Sequence, residues 1–310
     1  MSPPEDREAC WMALMRRGDW AAAWRLSDET VGARRGQRDW TAPRHLQPVW
    51  DGTPLEGRRV LVRCYHGLGD TIQFARLLAP LQRIAAKVTV WAQPALIPLL
   101  ATLRPAPHLL PLHDGTPEAE YDTDIEIMEL AHALRLTPSD LAGKVPYLHP
   151  PARPRSSDRR LQVGLAWRAG EWDARRSVPI DLLRPLGAMH GIALHILQRG
   201  PALTQRPTDF GVESGCDDVF QAASRMRALD LVVSVDSMPA HLAGALGVPV
   251  WLLLPQPADW RWMDGREDSP WYPGMRLFRQ ERAGDWSAPV LRLLSALQRA
   301  PRSPSIRGAS

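Results

Sequence analysis

The stretch Leu231-Val-Val-Ser-Val-Asp236-Ser237-Met-Pro239-Ala-His241-Leu-Ala-Gly244-Ala-Leu-Gly247-Val-Pro-Val-Trp-Leu-Leu-Leu254 decides how this chain folds. An apolar run stops at Asp236-Ser237, a short helix of small residues follows, Gly247 closes it, and a second apolar run begins. This is the pattern of strand, turn, helix and strand, the unit of a parallel sheet. Where the first strand ends and the helix begins, backbone N–H groups lack partners and the helix dipole is positive. A phosphate or diphosphate is the natural guest of such a place.

The same alternation runs outward in both directions. Upstream, strands are expected at Leu161–Trp167 and Ile192–Leu197, with helices at Pro179–Met189 and Val219–Arg227; downstream, a strand at Met275–Arg279 precedes an amphipathic helix over Trp286–Arg299. The Pro-rich run His149–Asp158 reads as a linker. Before it the pattern occurs once more. Arg59–Cys64 is a strand, His66-Gly-Leu-Gly-Asp70 its turn, Thr71–Ala85 a helix and Lys87–Trp91 the next strand; Leu96–Leu103 is a helix, and His108–Leu112 and Asp124–Met128 are further strands. Residues 8–35 read as a helical hairpin around Gly18-Asp19, with Trp11, Leu14, Met15, Trp20, Ala23, Trp24 and Leu26 on its apolar stripes. The expected fold class is therefore α/β, two Rossmann-like domains facing a cleft, with a short N-terminal helical hairpin. The expected boundaries are 1–45 for the helical extension, 46–150 and 151–300 for the two domains, and 301–310 for a disordered tail.

Bulk properties narrow the function classes. The 310 residues carry a net charge of +4, borne almost wholly by arginine, with Lys87 and Lys144 as the lysines. That charge is small and scattered, with no basic stripe interleaved with aromatics, so no nucleic-acid partner is expected. No apolar run approaches the ~20 residues of a membrane span, which leaves peripheral membrane contact open. The polar start shows no signal peptide. Cys10, Cys64 and Cys216 are few, odd in number and widely spaced, which suggests reduced thiols and a cytoplasmic protein.

Three stretches taken together resemble one family: Gly67-Leu-Gly-Asp-Thr-Ile-Gln-Phe-Ala-Arg76, Val163–Gly170 with Arg175-Arg-Ser177, and Ser234–Gly244. They are similar to the heptosyltransferase-related glycosyltransferases (family 9-related) of the two-domain GT-B fold, and most to the bacterial branch that carries tetratricopeptide repeats. Asp259-Trp-Arg-Trp-Met-Asp-Gly-Arg-Glu-Asp-Ser-Pro-Trp-Tyr-Pro273 also looks like that branch. The resemblance implies inverting transfer of a sugar from a nucleotide-diphosphate donor to an acceptor hydroxyl of a glycan or a protein, with no metal and no cofactor. This chain departs from the pattern in its short first domain, in Ser237 where threonine is usual, and in Pro239, which removes one N–H from the first helical turn.

By that resemblance Asp70 is the general base that takes the proton of the acceptor hydroxyl; read by position alone, it caps the helix that follows. His66, Gly67 and Gly69 mark the turn on the acceptor side. Asp236, Ser237 and His241 form the donor group, Ser237 as cap and phosphate ligand, His241 as a donor to the leaving diphosphate, Asp236 as an orienting carboxylate. Arg168, Arg175 and Arg176 follow the first strand of the second domain, where guanidinium groups suit a diphosphate; one of Arg175 and Arg176 is the preferred ligand. Gln198 is a candidate for nucleotide or sugar contact. Trp260, Trp262, Trp271 and Tyr272 read best as rings pinning a long loop. Asp122-Thr-Asp124 has the form of a metal-binding carboxylate pair but reads as strand-edge polarity. Ile72 in place of a third glycine weakens a dinucleotide reading of Gly67-Leu-Gly69. The rival functions are an inactive nucleotide- or sugar-binding module and a nucleotide-sugar epimerase of the same fold.

Overall fold

A computed structural model describes residues 4–141, 143 and 145–299 of the chain. The expected tail, 301–310, lies outside the described residues. The chain forms two compact units, Met1–His149 with Asp259–Gly265 and Pro150–Ala258 with Arg266–Ser310.

The first unit opens with the hairpin α1 (Pro4–Arg17) and α2 (Trp20–Arg34), whose start is capped by the Asp19 carboxylate accepting the Ala22 N–H at 3.2 Å. It continues through β1 (Arg59–Arg63), α3 (Leu68–Phe74), α4 (Leu78–Ile84), β2 (Lys87–Ala92), α5 (Ile97–Leu100), β3 (His108–Pro111), β4 (Thr123–Glu126) and α6 (Leu130–Ala133). The strands form a parallel sheet of order β3-β2-β1-β4, in which Val60 pairs with Val88 on one side and Thr123 on the other. Val60, Leu61 and Val62 are all buried because β1 is central and covered on both faces. The expected helix Thr71–Ala85 is broken: it begins at Leu68, tightens into a 3₁₀ turn over Ala75–Leu77 and resumes as α4. Pro80 has no N–H to give the Arg76 carbonyl, and the ladder tightens where that bond would fall.

The second unit holds β5 (Leu161–Ala166), α7 (Ile180–Leu183), β6 (Ile192–Ile196), β7 (Val212–Glu213), α8 (Val219–Met226), β8 (Leu231–Val235), α9 (Met238–Ala245), β9 (Val250–Leu254), β10 (Met275–Arg279) and α10 (Ser287–Arg299). These strands pair in parallel, in the order β10-β9-β8-β5-β6-β7. Val163, Leu165, Val233 and Val235 of the central strands share one core with Val290, Leu293 and Leu297 of α10. The two-residue edge strand β7 carries too little apolar pattern to be read in advance. Among the described residues no helix is long and apolar enough to cross a membrane.

Candidate functional site

Polar residues gather at the carboxyl ends of the strands in each unit, as the open α/β sheet dictates. In the first unit the chain leaves β1 through Tyr65-His66 into α3. Gly67 is the N-cap, with φ −63° and ψ 160°, and Asp70 is the third helical residue. Asp70 Oδ2 accepts the Gly67 N–H at 3.1 Å, so the carboxylate reaches back to cap the helix from inside it. Gly69 lies within the helix. Neither glycine uses a positive φ; at Gly67 a Cβ would meet Asp70 Oδ2 at 3.1 Å. Asp70 Oδ1 lies 2.7 Å from Nη2 of Arg261, a residue of the returning segment 259–265 and a partner the motif reading missed.

Beside this turn is a hub of carboxylates. Glu126, at the end of β4, accepts the N–H groups of Met128 (2.7 Å) and Tyr65 (3.2 Å), and its Oε1 lies 3.0 Å from His66 Nδ1. Against the opposing pull of burial, Glu126 raises the His66 pKa above the usual histidine value. Glu129 accepts the N–H groups of Trp50 (2.8 Å) and Glu126 (3.0 Å). Burial, the largest effect, and the Glu126 charge push its pKa up to about 7. His66, Glu126 and Glu129 line a cavity of about 680 Å³ whose walls include the indoles of Trp11, Trp24 and Trp260. The hairpin α1–α2 thus supplies part of the cavity wall. It is fixed to the unit by Trp24 Nε1 donating to the Leu136 carbonyl at 2.7 Å and by Asp28, which meets His132 and Arg135.

In the second unit, Arg168, Gln198 and Ser237 line one cavity of about 560 Å³, together with Met238 and Pro239 of α9. Gln198 is engaged in construction: its Oε1 accepts the Trp167 and Arg168 N–H groups at 3.1 and 2.9 Å, and its Nε2 donates to the Arg199 carbonyl. It thereby holds the loop that carries Arg168. Among the described residues Arg168 makes no ion pair. Arg175, by contrast, is exposed and pairs with Asp173 at 2.9 Å, and Arg176 donates to the Asp236 carbonyl at 3.0 Å. Of the three arginines, only Arg168 lines this cavity.

Ser237 is the N-cap of α9 by position, but its hydroxyl donates to the Val235 carbonyl at 3.2 Å and makes no cap bond. Pro239 in the first turn brings no N–H, and the Ala240 N–H is spent on the Ser237 carbonyl. His241 is not among the cavity's lining residues. Met238, Pro239 and Leu242 face it, and His241 lies about 100° round the helix from the middle of that arc. Its Nδ1 meets the Tyr272 hydroxyl at 3.2 Å and its Nε2 lies 3.6 Å from Asp236 Oδ1.

The aromatic rings expected to pin a loop are all buried, Trp260 and Trp262 in the first unit and Trp271 and Tyr272 in the second. Asp122 and Asp124 are both engaged by arginines. Asp122 holds Arg59, and the buried Asp124 lies 2.7 Å from both Arg63 and Arg38. Among the described residues no three His, Cys, Asp or Glu side chains gather as a metal site would require.

Two parallel sheets with these connections are the GT-B fold of the heptosyltransferase-like glycosyltransferases of family 9. The chain is similar to a family 9 glycosyltransferase from Veillonella parvula (14% identity, TM-score 0.54, covering 79% of this chain and 97% of that one). It is also similar to the ADP-heptose LPS heptosyltransferase II of E. coli (17% identity, TM-score 0.55, covering 77% and 98%). In sequence it is 28% identical to protein FlbA of Caulobacter vibrioides over a 302-residue alignment, 83% of this chain and 49% of that protein. The chain therefore spans about half the length of that relative. No family model matches the sequence.

Proposed function

We propose that this protein is an inverting, metal-independent glycosyltransferase that moves a sugar from a nucleoside-diphosphate donor to an acceptor hydroxyl. The observation that carries the reading is the Asp70 carboxylate, held in the first turn after β1, four residues on from His66, which lines a cavity of indole faces and carboxylates that Asp70 itself does not line, in a fold whose solved members include an ADP-heptose transferase. Indole faces suit the C–H faces of sugars, and Glu126, Glu129 and His66 offer partners for hydroxyls. The acceptor binds in the first unit, and Asp70 takes the proton of its attacking hydroxyl. The donor binds in the second unit. There Arg168, the Met238 N–H and the dipole of α9 meet the charge that grows on the leaving diphosphate. One displacement at the anomeric carbon inverts it. On its cysteine usage we place the protein in the cytoplasm.

A second reading draws support from α9, whose tip lacks the Pro239 N–H and the Ser237 cap bond: a binding module without turnover. One experiment separates the two. Binding of ADP, UDP, GDP and CDP is measured by thermal shift, and diphosphate release from the matching sugar nucleotides is followed with and without acceptors. Release that Asp70→Asn lowers at least ~100-fold supports the transferase; binding without release in every case supports the module.

A further inference from the structure

Arg261 sits in the middle of a 3₁₀ turn, Trp260–Trp262, that belongs to the first unit although the second unit's chain flanks it on both sides. The turn is shaped for it. Asp259 Oδ1 accepts the Arg261 N–H at 3.0 Å and lies 3.0 Å from Nη1. The other prong of the fork, Nη2, lies 2.7 Å from Asp70 Oδ1. The guanidinium is stacked 5.5 Å from the Phe74 ring centre and 5.3 Å from that of Trp260, and only 11% of the side chain is exposed. A planar fork with both ends engaged fixes an orientation, which a point charge on a flexible stem does not.

The turn in turn rests on the N-terminal hairpin. The Trp260 ring stands edge-on to Trp11 and Trp20, each 5.7 Å away between centres. The Asp264 N–H donates to the Arg16 carbonyl at 2.9 Å. Gly18, at φ +84°, leaves room for Met263, whose methyl a Cβ there would approach to 2.5 Å.

We propose that Arg261 is a positioning residue for Asp70, and that the hairpin α1–α2 serves catalysis by holding the turn that carries it. The inference rests on the reading of Asp70 as the base. A base must be ionised and must aim a lone pair at the hydroxyl it deprotonates. With Oδ1 on Arg261 and Oδ2 on the Gly67 N–H, the plane of the carboxylate is fixed from both ends. Each oxygen still has a second acceptor site for the substrate.

The test has a structural arm and a kinetic arm, both on the full chain. In a crystal structure of Arg261→Ala the Asp70 side chain leaves its rotamer; retention of that rotamer overturns the proposal whatever the activity. In the kinetic arm, ADP release from ADP-heptose is measured for the wild type, Arg261→Ala and Asp70→Ala. Loss of alignment predicts a fall in kcat of about 100-fold in Arg261→Ala, with the donor KM within about twofold and with recovery of at least about tenfold on adding millimolar guanidinium. An unchanged kcat in Arg261→Ala beside a strongly impaired Asp70→Ala overturns the proposal and leaves the base in place. An unimpaired Asp70→Ala removes the base reading instead, and the crystallographic arm still answers for the positioning. Arg261→Lys, which keeps the charge and loses the fork, serves both arms if the alanine variant does not fold; a wild-type rotamer and wild-type kcat there count against the proposal.

Discussion

His241 of α9 and Tyr272 of the loop after β9 are joined across the surface of the helix, ring nitrogen to hydroxyl, at 3.2 Å. The contact exists because Gly244, one turn on, has no side chain. The Tyr272 ring lies where a Cβ would be, 2.5 Å from its nearest carbon. The glycine that opens the way for Tyr272 thus also settles which way His241 points.

Gly244→Ala is therefore expected to destabilise the protein. Alanine favours a helix by about 1 kcal/mol over glycine, but overpacking against a buried ring costs about 1–3 kcal/mol. The net loss should be up to about 2 kcal/mol by urea unfolding.

Glu129 makes stability depend on pH in a defined direction. Its pKa is raised to about 7 in the fold against an ordinary 4.5. The folded state therefore holds a proton that the unfolded state gives up. The stability this brings is full below about pH 4.5 and is lost as pH rises through about 7, up to ~3 kcal/mol. Glu129→Gln keeps an oxygen for the Trp50 and Glu126 N–H groups and needs no proton. Its unfolding free energy, measured at pH 5 and pH 8.5, should lack this fall and exceed the wild type at the higher pH.

Asp124 is 1% exposed and joins Arg63 to Arg38. Arg63 also donates to the Tyr65 and Tyr121 hydroxyls. Asp124→Ala leaves the buried Arg63 charge without its counterion and should cost about 3–5 kcal/mol. Arg63→Met added to Asp124→Leu should recover a large part of that in the same unfolding assay. If instead the Asp122-Thr-Asp124 segment served a metal, Mn²⁺ would raise the melting temperature of the wild type and not of Asp124→Ala.

Gln73 is fully buried in α3, and neither atom of its side-chain amide has a partner among the described residues. Gln73→Met has nearly the same volume and no amide to desolvate. It should raise stability by about 1–3 kcal/mol, read as a higher urea midpoint at unchanged slope.

The strands were legible because period and burial coincide. Leu231–Val235 and Arg59–Arg63 are central and covered on both faces; the first is apolar except for Ser234, and the second carries the apolar run Val60–Val62 between two arginines. The helices were legible in place and not in continuity, because Pro80 and Pro185 turn parts of them into 3₁₀ segments. At the candidate site the sequence shows which residues stand at strand ends, so Asp70, Arg168 and Ser237 fall where ligands bind in such sheets. It does not show how the side chains pair. Arg175 is held by Asp173, two residues before it, and Gln198 is drawn to backbone amides about thirty positions upstream. Arg261 stood in plain view between two tryptophans, inside a segment already read as a family likeness. Its partner Asp70 is 191 positions away, and no periodicity links residues at that distance.

The placement of Asp259–Gly265 in the first unit decides how this protein can be taken apart. A gene fragment that stops at His149 encodes every strand of the first sheet but omits Arg261 and the tryptophan on which the hairpin leans. Such a half should be soluble only if residues 259–265 are restored as a fused or added peptide. A matching peptide with alanine at 260 and 261 should fail to rescue it.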